Sequence, residues 1–386
     1  MSPRPKRNVK VKIPPCPLSV WKDLFAAAGA FREIEPWRWM SDNDVFGVQN
    51  PADKQIGYCC VLGELGEVLG LVVYLGSEGL EQYRKIQSGK LRADSLEVVY
   101  GQSCLTAWFS NRGDLDKYDI KIASQLGLQF RGRAMWPQFR SFRPGYHPWF
   151  LNESEAKYLT LCLEQSHEMA LCVKSDPDLL AAPRKDQYRI RLPVETLDPP
   201  EQGDANQVAQ PLHSKTSAGQ QMLFANLKQN NTWQWRDQWL QPAPIPEPVS
   251  RAIPLDEVRL QRIRNISQSY AGTWEIDGYY ASEAVDGDER PFFPYMMLCA
   301  DHDSGFILGT VLANPSTWKC EFVEALLSAI EQSKLFPEKL SLRKEELRGL
   351  FEPLATRLGI RVEITKKLPA VDRAKREFSK FMKRRG

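Results

Sequence analysis

The chain has 386 residues, 42% apolar and 26% charged, which excludes wholesale disorder and leaves length for two domains with cores of their own. No apolar run approaches the roughly 18 residues that would predict a membrane span. The formal charge is only +3, but residues 1–12 hold five basic and no acidic residues and residues 366–386 hold nine against two; these ends carry +12, leaving −9 between them.

The opening MSPRPKRNVKVKIPPC is charged and lacks an apolar h-region, so no secretion signal is expected and 1–17 reads as a basic tail. Ser19 to Phe31 puts Val20, Leu24, Ala27 and Phe31 on one helical face, and PWRWM follows as its stop. Val45 to Val48, Ile56 to Leu65 and Val68 to Leu75 are β-rich, the last two joined into a hairpin, and a helix begins at Ser77. Leu96 to Tyr100, Leu105 to Phe109 and Ala134 to Phe142 predict strands, and Leu115 to Leu126 a helix. Asn152 to Cys172 predicts a helix with Asn152 as N-cap and Glu155 at the capping-box position. A strand from Tyr188 to Leu192 closes an α+β domain over residues 18–195.

From 196 to 252 the composition shifts to Gln, Asn, Pro and Ser, with PAPIPEP at 242–248, and predicts a linker. Trp233, Trp235 and Trp239 make its middle too aromatic for pure coil. Part of it is expected to dock on a domain surface or to serve a partner protein. A second domain, 253–386, starts with a helix from Leu255 to Tyr270. It continues through strands at Thr273–Ala281, Tyr295–Cys299 and Phe306–Leu312, helix Trp318–Ser333, strand Lys339–Leu342, helix Glu345–Leu358, strand Arg361–Ile364 and helix Val371–Lys383. Helical crossovers return the chain in one direction, so the expected α/β fold is a mixed five-stranded sheet with 273–281 central and 339–342 and 361–364 parallel to it.

Eight cysteines show no CxxC and no Cys/His spacing suited to a metal, which predicts reduced core thiols in a cytoplasmic protein, Cys59 and Cys60 pointing to opposite faces of one strand. Asp301, His302 and Asp303 form the one acidic and imidazole-bearing cluster, but DHDSG between two apolar strands reads first as a tight turn. His147, His167 and His213 have no partners at ligand spacing, and the glycines at 63, 66 and 70 do not make GxGxxG. No P-loop, GxSxG or HExxH occurs; neither metal nor cofactor is expected.

The element order of residues 272–384 resembles ribonuclease H-like and integrase cores. The resemblance implies an acid on the first strand, a second at the end of the fourth and a third on a late helix, which together hold two cations. TWEIDGYY makes Asp277 the first candidate, and the late helix offers Asp372 or Glu377; at the fourth strand KLSLRKEEL puts Arg343 and Lys344 where the acid belongs. Cations there would repel metal. The N-terminal motifs WKDLFAAAGAF, EPWRWMSDNDVFGV and WPQFRSFRPGYHPWFLNESEAKYL, with the later pattern, resemble a bacterial family built from two successive domains of unknown function. That resemblance implies no catalytic residue.

FRGRAMWPQFRSFRPGYHPWF interleaves Arg131, Arg133, Arg140 and Arg143 with Trp136 and other aromatics, a composition suited to single-stranded nucleic acid. An edge strand with stacked arginines reads equally well. The C-terminal helix adds Arg373, Lys375, Arg376, Lys380 and Lys383. The expectation is a non-catalytic protein that binds nucleic acid or another polyanion. The alternatives are a metal-dependent nuclease with relocated carboxylates and an interaction scaffold using the Trp-rich segment.

Overall fold

The computed structural model describes residues 13–64, 68–92, 95–130, 136–184, 186–194, 234–245, 257–266 and 272–385. Two compact units emerge, one of Lys12–Arg143 with Pro148–Ile245, the other of Pro144–His147 with Pro246–Gly386.

The first unit runs α1 (Leu18–Glu33), β1 (Phe46–Gln49), β2 (Ile56–Leu62), β3 (Leu69–Leu75), α2 (Gly76–Gln87), α3 (Leu96–Gly101), β4 (Cys104–Ser110), α4 (Lys117–Gln125), β5 (Trp136–Phe142), α5 (Glu153–Ser175), β6 (Tyr188–Val194) and β7 (Gln234–Leu240). Its sheet has the order β5-β4-β3-β2-β1-β6-β7, antiparallel except where β6 lies parallel to β1. Strand alternation sends Cys59, Val61, Leu71 and Val73 to a core with residues of α1 and α5, and Tyr58, Cys60, Val72 and Tyr74 to a second core with Leu80 and Tyr83 of α2. Cys59 and Cys60 therefore face opposite layers, as strand geometry requires. The capping box at Asn152 and Glu155 forms as expected.

Two elements differ from the sequence reading. Leu96–Gly101 is a helix, not a strand; a short apolar run carries no periodicity to separate the two, and Val98 is its one buried residue. The stretch read as linker contains β7, which pairs antiparallel with β6 along seven residues, Tyr188 opposite Leu240 and Val194 opposite Gln234. Burial explains the docking: Asp237 is 7% exposed and lies between Arg189, whose Nε donates to it at 3.0 Å, and Arg191, whose Nε is 3.2 Å away. Two buried guanidinium groups on β6 need carboxylates; Glu168 of α5 reaches Arg191 Nη1 at 2.9 Å, and the following strand brings the Asp237 carboxylate that both share. Trp235 and Trp239 belong to this strand, while Trp233 lies outside the described residues.

The second unit runs α6 (Glu257–Ile266), β8 (Thr273–Tyr280), β9 (Tyr295–Asp301), β10 (Ile307–Ala313), α7 (Trp318–Ser333), β11 (Lys339–Leu342), α8 (Glu345–Leu358), β12 (Arg361–Ile364) and α9 (Pro369–Arg385). The sheet order is β10-β9-β8-β11-β12, β9 antiparallel to β8 and β10, β11 parallel to both β8 and β12. This is the mixed five-stranded sheet expected, β8 central. Trp274, Ile276, Met297, Cys299, Leu340 and Leu342 pack with residues of α7 and α8. On the other face Leu298 and Ala300 meet Leu368, Ala370, Val371 and Ala374 of the α9 segment. Of the helix expected over Leu255–Tyr270, Glu257–Ile266 is observed as α6, and the remaining residues lie outside the described ones.

Candidate functional site

On β8 the residues at 275, 277 and 279 share the face that α9 covers, because side chains alternate along a strand. Two of the three are acids, and both are buried: Glu275 and Asp277 are each 1% exposed. A buried carboxylate is held only where hydrogen bonds and opposite charge replace its water. Glu275 Oε2 accepts the Val371 backbone N–H in the first turn of α9 at 3.0 Å, and its Oε1 lies 2.5 Å from His302 Nδ1. The carboxylate thus caps a helix from a neighbouring strand, at the end where the helix dipole favours negative charge.

Asp277 is held by cations. Its Oδ2 accepts from Lys375 Nζ at 2.6 Å and from Arg343 Nη1 at 3.1 Å, and its Oδ1 accepts the Gly278 N–H at 2.9 Å. Arg343 Nη2 also donates to Asp372 Oδ1 at 2.7 Å. The guanidinium links β8, the β11 exit and α9. Lys375 Nζ sits 3.9 Å from the centroid of the Tyr279 ring, while Lys344 donates to the Tyr295 hydroxyl at 3.3 Å. Burial lowers the Lys344 pKa below the usual lysine value, and burial pushes the Tyr279 hydroxyl up to about 12. The cluster lies at the carboxyl end of β11, where ligands of open α/β sheets bind.

The sequence-predicted residues separate clearly. Asp277 and Asp372 come together, joined through Arg343, whereas Glu377 is exposed on α9. Among the described residues no group of three or more His, Cys, Asp or Glu is placed to hold a metal ion. Lys375 faces inward onto Asp277, so it is not an open cationic contact for nucleic acid; releasing it would strip charge from a buried carboxylate. Arg376 and Lys380 are exposed, and the Lys383 side chain lies outside the described ones. Phe378 is exposed, so among the described side chains Ala374 is the last of α9 in the core.

The arginine-aromatic stretch of the first unit is also largely committed. Arg140 makes a two-pronged pair with Asp119 at 2.8 and 2.7 Å and lies 4.7 Å from the centre of the Phe150 ring. Arg143 pairs with Glu155 at 3.0 Å, and Trp136 packs edge to face on Phe130. Arg140 is thus a stacked, ion-paired arginine of the edge strand β5, and Arg143 is ion-paired just beyond its end. Arg131 and Arg133 lie outside the described residues.

DHDSG is the turn expected: Asp301 Oδ1 accepts from the Ser304 N–H and hydroxyl, which holds its carboxyl below the usual range. Two roles went unread, His302 beside Glu275 and Lys375 on Asp277. The signal was present in TWEIDGYY, where acids two apart on a central strand must share a face and find partners.

Residues 21–191 match the family described as Domain of unknown function (DUF7309), and residues 259–379 match Domain of unknown function (DUF6930). The chain carries these two domains in succession. No curated protein matches it. Among solved structures it is similar to the HTLV-2 integrase catalytic core domain in complex with magnesium, at 17% identity and a TM-score of 0.22, over 28% of this chain and 67% of that one. No helix among the described residues is long and apolar enough to cross a membrane.

Proposed function

We propose that the second domain is a ribonuclease H-like sheet converted from catalysis to binding, and that the protein holds nucleic acid or a comparable polyanion through it. The observation that carries this reading is the pair of protein cations, Arg343 and Lys375, seated on the Asp277 carboxylate. A carboxylate that neutralises a guanidinium and an ammonium has little attraction left for a divalent ion, and those cations repel one directly. The strand order β10-β9-β8-β11-β12, with three antiparallel strands followed by two parallel ones, supports the architecture. Exposed Arg373, Arg376 and Lys380 on α9 supply charge for phosphate contacts.

Fluorescence anisotropy of a labelled single-stranded oligonucleotide tests the reading. Binding at low salt is expected to weaken steeply as salt rises, with a log–log slope of about 0.7 for each phosphate contact. Replacing Arg373, Arg376 and Lys380 by Gln should flatten that slope, since none of the three is among the cations that neutralise Asp277. Incubation with Mg²⁺ or Mn²⁺ should leave the oligonucleotide intact. Absence of binding to any single or double strand at low salt refutes the reading, as does cleavage that disappears in Asp277→Asn.

A further inference from the structure

We propose that β10 is a self-association edge: two copies of this chain pair antiparallel along residues 309–313 about a two-fold axis at Val311, which joins their two five-stranded sheets into one. The pairing goes beyond the polyanion reading and does not rest on it.

β10 ends its sheet, with no described strand beyond it. Such an edge offers unpaired N–H and C=O groups to any extended chain, and proteins blunt it with charge, proline or brevity. The other described edges follow that rule. β5 carries Pro137 and Arg140, β7 carries Arg236 and Asp237, and β12 is four residues long with Arg361 and Glu363. β10 reads ILGTVLA over seven residues, without a charge or a proline. Two of its apolar side chains are in water, Ile307 at 47% and Leu312 at 56% exposure. They share the α9 side of the sheet, since Ile307 lies opposite Ala300 and Leu312 opposite Met296. The α9 segment packs on Leu298 and Ala300 of β9 and leaves this strip of β10 open.

The occupant follows from the residues of the strand itself. A bulge between Ile307 and Gly309 interrupts the ladder and confines regular pairing to the five residues from 309 to 313. A two-fold axis at their middle, Val311, uses all five. Gly309 then faces Ala313 of the partner subunit on the α7 side, Thr310 faces the partner's Leu312 on the α9 side, and the two Val311 residues meet. Small residues fall where α7 already crowds the sheet, for a Cβ on Gly309 would stand 3.6 Å from the Ala329 Cβ. On the other side the two Leu312 side chains become diagonal neighbours across the axis, within reach of each other and shielded from water. An edge without charge neither repels its own copy nor selects a partner of opposite sign. A two-fold contact needs the same surface from both chains, so one such strand is sufficient. The paired run is about 17 Å long at one strand spacing of about 4.8 Å, far less cover than the roughly 800 Å² per partner of a stable interface. The dimer is therefore weak and concentration-dependent.

Sedimentation velocity of the full chain from about 1 to about 500 μM, the range of weak contacts, tests the pairing. Wild type should shift from monomer toward dimer across that range. Leu312→Lys should weaken association about tenfold, because both copies lose the apolar contact and gain like charges diagonal to one another. Adding Thr310→Glu to Leu312→Lys should restore it, since position 310 of each chain faces position 312 of the other and the charges then alternate. A chain that stays monomeric throughout overturns the proposal, as does a dimer that Leu312→Lys leaves unchanged. A dimer weakened by Leu312→Lys and not recovered by the double variant overturns the axis at Val311. Thr310 and Leu312 are both exposed, so neither change removes a core residue. Should a variant unfold nonetheless, hydrogen exchange of wild type decides alone: amides within 309–313 should gain protection as protein concentration rises, and protection indifferent to concentration refutes the pairing.

Discussion

Removing both cations from Asp277 should damage the protein more than removing Asp277 itself, and adding Asp277→Asn to the damaged protein should repair it. In Arg343→Met with Lys375→Met the carboxylate, 2% exposed, retains the Gly278 N–H as its one donor among the described residues. Breaking a buried pair and leaving its charge uncompensated costs about 3–5 kcal/mol. Asp277→Asn alone is milder. Its amide oxygen can still accept from Gly278, Arg343 keeps Asp372, and the side chains of Arg343 and Lys375, 29% and 22% exposed, can turn toward water. The loss is then of charge-assisted hydrogen bonds, about 1.5–3 kcal/mol. The triple variant buries a neutral amide, so it should recover about 2 kcal/mol relative to the double one. Scanning calorimetry of the full chain reads this as a midpoint shift of about 2–8 °C per kcal/mol. Hydrogen exchange across 369–380 gives a local reading, with fast exchange expected in the double variant and slowing in the triple. The reasoning fails if Asp277→Asn is as destabilising as the double cation removal, or if it worsens the double variant.

Asp237→Ala should cost about 3–5 kcal/mol, since Arg189 and Arg191, 5% and 7% exposed, would lose their shared carboxylate; urea titration followed by tryptophan fluorescence checks it, and a loss below about 1 kcal/mol would mean that the strand does not depend on this pair. Asn152→Ala should cost about 0.5–2 kcal/mol through the α5 capping box, measured the same way. Gly145 has φ +79° and a Cβ there would come within 2.6 Å of Pro315, so Gly145→Ala should lower the midpoint of the second unit, with a cost of about 1–3 kcal/mol. Because the native Lys344 pKa is below its unfolded value, the unfolded chain binds more protons between the two, and stability should rise with pH up to about 10.5 in that window. The difference between the midpoints of wild type and Lys344→Met should be constant below the native value and move in favour of wild type as pH rises through the window; curves that stay parallel throughout would contradict the assigned desolvation.

Local pattern alone determined most of the second unit. The helices at 318–333 and 345–358 and the strands at 339–342 and 361–364 stand where apolar periodicity puts them, and helical crossovers leave the later strands little choice of direction. The α5 capping box was equally legible, since both of its hydrogen bonds are made within four residues. Leu96–Gly101 was not, because a six-residue apolar segment suits helix or strand until its neighbours decide. Gln234–Leu240 looked like part of a polar linker because its reason for being a strand, Asp237 between Arg189 and Arg191, spans more than forty residues. The site divides in the same way. Arg343 in place of an acid could be read directly, but that its guanidinium and the Lys375 ammonium share one buried oxygen of Asp277 depends on how α9 lies across β8. Such pairing is long-range and set by charge. Sequence periodicity records which face of each element is apolar, and only the packed structure decides which buried charges meet.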